Sequence, residues 1–311
     1  MISRRNIRVK VMQMLYALET MEDTTGKTDP VKSLRQKLDE SSELFTYLVH
    51  FITQVARYAE TDARLRASKN LVTEEDRNVN TKIAGNQLLW KILENPGFGS
   101  AVSHFNVARV DDEGMVRKVY LELVQSDIYK TYIQKLSREK GEEKSILQYI
   151  FTDLMLPDEA FTSFIEEQFT NWQDDAEMMQ QLVLNYLNKP TGFEVATFVT
   201  TDKWQFAREL LTSVLNKKEY VVGLIKPRLK NWDADRIAVL DMILLQMGVC
   251  ELLYFETIPP KVTINEYIDI AKEYSTQQSG HFINGILDAI HKDLLRENKI
   301  HKIAFKQNTN G

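Results

Sequence analysis

The chain has 311 residues, 43% of them hydrophobic and 27% charged, with a formal net charge of −5. That mixture supports a real core and one to three domains, and twelve glycines and seven prolines are few enough to favour helices over a turn-rich sheet protein. One cysteine, Cys250, excludes a disulfide framework and a thiolate-rich zinc site, and no continuous apolar stretch suits a signal or membrane span, so a soluble, reducing, cytoplasmic setting is expected.

Helix one is expected from Arg4 to Met21, with Ser3 as N-cap and Ile7, Val11, Met14, Leu15 and Leu18 as its apolar stripe. Residues 1–18 hold Arg4, Arg5, Arg8 and Lys10 and no acid. Gly26 and Pro30 mark a linker. Residues 31–66 read as a long helix or a helix pair, Lys69–Asn80 as a loop, and 81–94 as a helix ended by Asn95-Pro-Gly-Phe-Gly-Ser100. Helices are expected over 114–136, 143–155 and 158–188, the last two separated at Pro157. Strand-like alternation is brief, at Val195–Thr200. Helical periods return over 201–218 and 219–229.

A well-patterned helix follows from about Ala234 to Phe255, with Asn231 or Asp233 as cap. Pro259 and Pro260 break it. Thr263 and Glu266 have capping-box spacing, so a helix start is expected at Ile264. Ser275, Thr276 and Ser279 are candidate caps for a last helix through Phe282, Ile286, Ile290 and Leu294. The tail from Asn298 is again basic, with Lys299, Lys302 and Lys306. Nearly every apolar period is 3 to 4, so the fold class is all-α.

From Ile258 the pattern becomes specific. Ile258-Pro-Pro-Lys-Val-Thr-Ile-Asn-Glu-Tyr-Ile-Asp-Ile-Ala-Lys272, continuing through Glu273-Tyr-Ser-Thr-Gln-Gln-Ser-Gly-His-Phe-Ile-Asn-Gly-Ile-Leu-Asp288, resembles the signature of the NusB family. Asn231-Trp-Asp-Ala-Asp-Arg-Ile237, Leu244 to Leu253, and the opening Arg4-Arg-Asn-Ile-Arg-Val-Lys-Val-Met-Gln-Met-Leu-Tyr-Ala17 fit it too. The resemblance covers about 1–20 and 204–294. It implies two packed helical bundles of NusB type, with additional helices inserted in the N-terminal half. Residues 1–203 would form an N-terminal region comprising helix one and a large helical insertion. Residues 204–311 would form the NusB-like C-terminal region, with helix one packing in the N-terminal bundle.

The same resemblance implies a transcription antitermination factor. Such proteins bind single-stranded boxA RNA together with a small-subunit ribosomal protein, NusE, within an RNA polymerase antitermination complex, and some family members dimerise. Arginine suits phosphate through paired, charge-assisted bonds, and helix starts favour anions. Arg4, Arg5 and Arg8 are therefore the first candidates for the RNA backbone, with Gln13 and Tyr16 behind them. At the start of the last helix the resemblance implies Gln278, His281, Phe282 and Asn284, where Phe282 also has core spacing. Many relatives carry an acid at Gln278 and lysine at His281. Glu251 maps to the surface that meets the ribosomal protein. Asn265, Glu266 and Gly285 read as structural residues, Gly285 permitting close helix packing.

No catalytic residues, metal site or cofactor are expected. The histidines His50, His104, His281, His291 and His301 lack metal spacing, no glycine-rich cofactor loop is present, and Asp174 and Asp175 point apart on a helix. The alternative to an RNA-binding factor is a non-catalytic scaffold of the same fold that has lost RNA recognition. The functional expectation requires the starts of the first and last helices to share one surface.

Overall fold

A computed structural model describes residues 2–20, 29–110, 112–190, 198–229 and 237–303, and every regular element among them is helical. The α-helices in chain order are α1 (Arg4–Thr20), α2 (Pro30–Ala67), α3 (Glu74–Arg77), α4 (Gln87–Leu93), α5 (Pro96–Phe105), α6 (Glu113–Gln125), α7 (Asp127–Gln134) and α8 (Lys140–Tyr149). They continue as α9 (Glu159–Gln168), α10 (Trp172–Asn188), α11 (Thr201–Asn216), α12 (Lys218–Ile225), α13 (Val239–Tyr254), α14 (Pro260–Tyr274) and α15 (Ser279–Arg296). The chain divides into two compact units: Met1–Ile2 with Lys37–Thr200, and Ser3–Gln36 with Thr201–Gly311.

The second unit is organised by α13. Its sequence is apolar on all sides, and Ile243 through Leu252 are buried without interruption. A helix of that kind must be surrounded. Helices α1, α11, α12, α14 and α15 all pack against it. Gly248 sets the closest approach: a Cβ there would meet Leu287 Cδ1 of α15 at 2.8 Å and Tyr267 Cδ2 of α14 at 3.3 Å. Gly285 faces open space instead, so the packing glycine is Gly248. Lys302 closes the far end of α13, donating to the carbonyls of Glu251 and Phe255 at 3.0 and 2.7 Å. A lysine there satisfies orphan carbonyls and the negative end of the helix dipole.

Helix α1 belongs to this unit, packed on α11 and α13, and not to the unit formed by Lys37–Thr200. The reason is an ion pair between Arg8 and Glu251 of α13, described below. Ser3 caps α1, accepting from the Asn6 amide at 3.1 Å, while the Asn6 side chain accepts from the Ser3 amide at 3.1 Å. This is a capping box with asparagine in the acid's place.

The first unit wraps its helices around α2. The side chains from Leu44 to Ala56 supply its core, with Phe51 against Phe161 at 4.9 Å and Phe45 against Tyr186 at 5.7 Å. Two buried carboxylates are paired inside it. Asp175 accepts from Ser41 at 2.7 Å and Asn171 at 2.8 Å, and Glu143 accepts from the Tyr132 hydroxyl at 2.6 Å and Arg138 at 3.3 Å.

Several boundaries differ from the sequence expectation. Residues 31–66 form one helix. Asn95-Pro96 opens α5, because the Asn95 side chain accepts from the Gly97 and Phe98 amides and Pro96 takes a first-turn position. The 114–136 stretch breaks at Ser126, which caps α7, and 158–188 breaks between α9 and α10. Helix α14 begins at Pro260, not Ile264, since Thr263 and Glu266 spend their side chains on Glu251 and Arg8. Gly26, Asn231, Asp233, the residues 195–197 and Lys306 lie outside the described residues.

Candidate nucleic-acid interface

At about 100° per residue, Arg8 projects between the directions of Arg4 and Arg5, one turn further along α1. That geometry sends the three arginines to different places. Arg4 is exposed, lies over the Phe206 ring of α11 at 5.5 Å, and has no ion-pair partner among the described residues. Arg5 reaches α14, donating to Asp269 at 3.5 Å and Glu273 at 3.2 Å.

Arg8 turns inward and is 2% exposed. Its Nε and Nη2 donate to the two carboxylate oxygens of Glu251, each at 2.8 Å, and its Nη1 donates to Glu266 at 3.2 Å. Glu251 is fully buried and also accepts from Thr263 at 2.8 Å and Tyr267 at 3.1 Å. Burial opposes the Arg8 charge most strongly of any single effect, but the bond to Glu251 together with the charges of Tyr267, Glu251 and Glu266 outweighs it and holds the guanidinium above the usual arginine range. Burial and the same carboxylate push the Tyr267 hydroxyl well up. This cluster contradicts two sequence assignments. Arg8 cannot reach a phosphate, and Glu251 cannot meet a protein partner, because both are sealed in the core and satisfied by each other. Cys250, beside Glu251, is buried too, and that burial pushes its thiol up to about 12.

The α14–α15 turn is fixed from below by Asp241 of α13, which accepts from Ser275 and Ser279, both at 2.8 Å. Ser275 and Ser279 therefore serve Asp241, and α15 starts at Gln278 without a side-chain cap. Lys272 lies across the first turn of α15: a Cβ on Gly280 would meet its Cγ at 2.9 Å. Its ammonium is 3.8 Å from Asp269, the acid that also holds Arg5. The starts of α1 and α15 thus meet through the last turn of α14, on one surface. Acidic side chains, Asp269 and Glu273, stand between them.

On that surface Gln278, His281 and Asn284 are exposed. Phe282 is 7% exposed and packs inward, so it is not available for stacking. Tyr16 is 45% exposed and Gln13 is half-buried. Tyr16 falls within about 20° of Arg5 around α1, whereas Gln13 points about 180° from Arg4. Tyr16 can therefore join a strip with Arg5, but one ligand face cannot hold both Arg4 and Gln13. Sequence reasoning missed Asp241, Asp269 and Glu273. The signal for Asp241 was an acid at the start of an otherwise apolar helix.

The fold and this site define an all-helical protein with an internal arginine–glutamate clamp that fixes α1 on α13 and α14. The chain belongs to the NusB family. The NusB family model matches residues 160–292, a span that takes in α10 and nearly all of α9. Transcription antitermination protein NusB of Methylacidiphilum infernorum is 36% identical over 130 residues, covering 37% of this chain and 89% of its own length. The proteins of that name from Salinibacter ruber and Finegoldia magna are each 44% identical, over 31% and 28% of this chain. The chain spans 61% and 64% of those two relatives' lengths. A solved structure, T. maritima NusB, is 30% identical, covers 40% of this chain and 82% of its own, and has a TM-score of 0.30. Among the described residues no helix is long and apolar enough to cross a membrane.

Proposed function

We propose that this chain is a cytoplasmic, non-catalytic RNA-binding transcription antitermination factor. It holds a boxA-type single strand with a small-subunit ribosomal protein as partner. The observation that carries this reading is the shared surface of the α1 and α15 starts, joined through Arg5, Asp269 and Lys272. Arg4, Arg5 and Lys272 supply charge for phosphates, which gives affinity without sequence choice. Gln278, His281 and Asn284 supply exposed hydrogen-bonding groups for unpaired base edges, and Tyr16 offers a ring on the Arg5 side. Family membership supports the antitermination role, the ribosomal protein and the polymerase complex.

Filter binding of the full chain to a boxA-containing RNA, with and without the ribosomal protein, tests this. Salt-dependent binding is expected, and the Arg4→Ala/Arg5→Ala double variant should weaken it and flatten the salt slope by up to about 0.7 per lost phosphate contact. No salt-dependent binding at micromolar protein, even with the partner present, overturns the reading. One observation favours the scaffold alternative: Arg8 is internal and Arg5 is already paired with acids. A scaffold would bind the ribosomal protein with RNA making no difference.

A further inference from the structure

We propose that the first unit carries a separate pocket for a phosphate-bearing ligand, ringed by Lys91, Lys140, Lys144 and Lys189. Three helices build it. Lys91 comes from α4, Lys140 and Lys144 from the first turns of α8, and Lys189 from the end of α10. They line a cavity of about 270 Å³. Their convergence draws on residues about a hundred positions apart in the chain.

The four lysines gather around one concavity without an acidic partner among the described residues. None has an ion pair or side-chain hydrogen bond among the described residues. Other lysines of the same unit are engaged: Lys69 holds Asp76 at 2.7 Å, Lys118 holds Asp158, Lys135 holds Glu142, and Lys82 donates to backbone carbonyls. In a chain of net charge −5, four unpaired cations around one concavity create a local positive field. The one acid in the wall, Glu143, is 1% exposed and already bonded to Tyr132 and Arg138.

The chemistry of the wall narrows the ligand. Lysine is a compact point charge that suits phosphate oxygens without demanding one geometry. Gln87 and Asn188 add neutral donors. No aromatic ring lines the pocket, so nothing there stacks on a base. The cavity is smaller than a typical drug-sized site and accommodates a diphosphate, with any attached nucleoside projecting outward. The ligand is therefore two neighbouring phosphates, recognised without regard to base. A nucleoside diphosphate or the backbone of an RNA strand can supply them. This inference does not rest on the α1–α15 reading.

Calorimetric titration of the full chain at low salt tests it, with pyrophosphate, ADP, UDP and an oligo(U) dodecamer as probes. Saturable pyrophosphate binding is expected. The Lys140→Ala/Lys144→Ala and Lys91→Ala/Lys189→Ala variants should each weaken it by about tenfold or more, with far-UV circular dichroism and melting unchanged. Equal affinity for ADP and UDP with no gain from oligo(U) identifies the nucleotide source. Tighter oligo(U) binding that pyrophosphate displaces, and that the lysine variants lose, identifies the strand. Arg4→Ala/Arg5→Ala should leave pyrophosphate binding unchanged, which separates this site from the α1–α15 surface. Absence of saturable binding by every probe at millimolar concentration, or binding that both lysine variants leave intact, overturns the proposal.

Discussion

Arg8 enters the interior because Glu251 is there to meet it, with both guanidinium–carboxylate bonds at 2.8 Å and two hydroxyls completing the carboxylate's shell. Removing one partner strands the other. Arg8→Ala should destabilise the fold by about 3–5 kcal/mol in urea denaturation, and an Arg8→Met/Glu251→Met double variant should cost less than the two single changes added together. A loss below about 1 kcal/mol, or a selective loss of RNA binding at unchanged stability, would return Arg8 to the surface chemistry its sequence position suggests. The arc of arginines on α1 was legible from spacing alone. Which one turns inward was not, since the deciding partner lies 243 residues away. The readable clue was Glu251 itself, a charge embedded in the apolar run of α13. Arg5 yields a second prediction. Glu273 holds it at 3.2 Å and is part-exposed, so Glu273→Gln should leave the fold intact and remove one of the two acids that hold the guanidinium, leaving Asp269 as its remaining carboxylate partner. RNA affinity should rise severalfold at low salt, and the gain should shrink as salt screens it. Unchanged or weaker binding would show that Arg5 serves only to dock α1 on α14.

Helices were legible where apolar residues recur every three or four positions, and their ends were legible only where the capping residue had no competing partner. Ser3 and Asn95 cap as their types favour, although the run Asn95-Pro-Gly has in sequence the look of a stop and not of a start. Thr263 and Glu266 had the spacing of a capping box but were drawn into the Arg8–Glu251 cluster, and the proline at the N-terminal end of α14 took over the start. Local propensity lost there to a buried charge that needed every donor within reach. The glycines make the same point at the level of helix packing. Gly248 sits where α13 meets α14 and α15, and Gly248→Ala should lower stability by up to about 2 kcal/mol, because a clash of about 1–3 against buried Leu287 offsets or exceeds the helix-propensity gain of about 1. Gly285 faces open space within α15, so Gly285→Ala should raise stability by about 0.5–1 kcal/mol. Thermal or chemical melts of the two variants should move in opposite directions. Shifts of the same sign would mean that the approach of Leu287 to Gly248 does not limit the packing.

Across the whole molecule, charge is the quantity that separates an RNA-binding factor from a scaffold. The chain carries −5 overall, so it offers no broad positive field, and any RNA contact must be local. The α1–α15 surface is nearly balanced: Arg4 has no ion-pair partner among the described residues, whereas Arg5 and Lys272 share Asp269, with Glu273 also on Arg5. The three cations Arg4, Arg5 and Lys272 allow at most about three phosphate contacts. For a single strand, each contact contributes about −0.7 to the slope of log K against log salt. A boxA complex of this chain alone should therefore show a slope no steeper than roughly −2, far shallower than that of a protein coated in arginine. Adding the ribosomal protein should tighten binding and steepen the slope only by the phosphates that the partner itself neutralises. A steep slope for the chain alone, near −5 or beyond, would mean that RNA engages basic residues away from the α1–α15 surface. The Arg4→Ala/Arg5→Ala variant decides between these cases, because it should remove most of a shallow slope and little of a steep one.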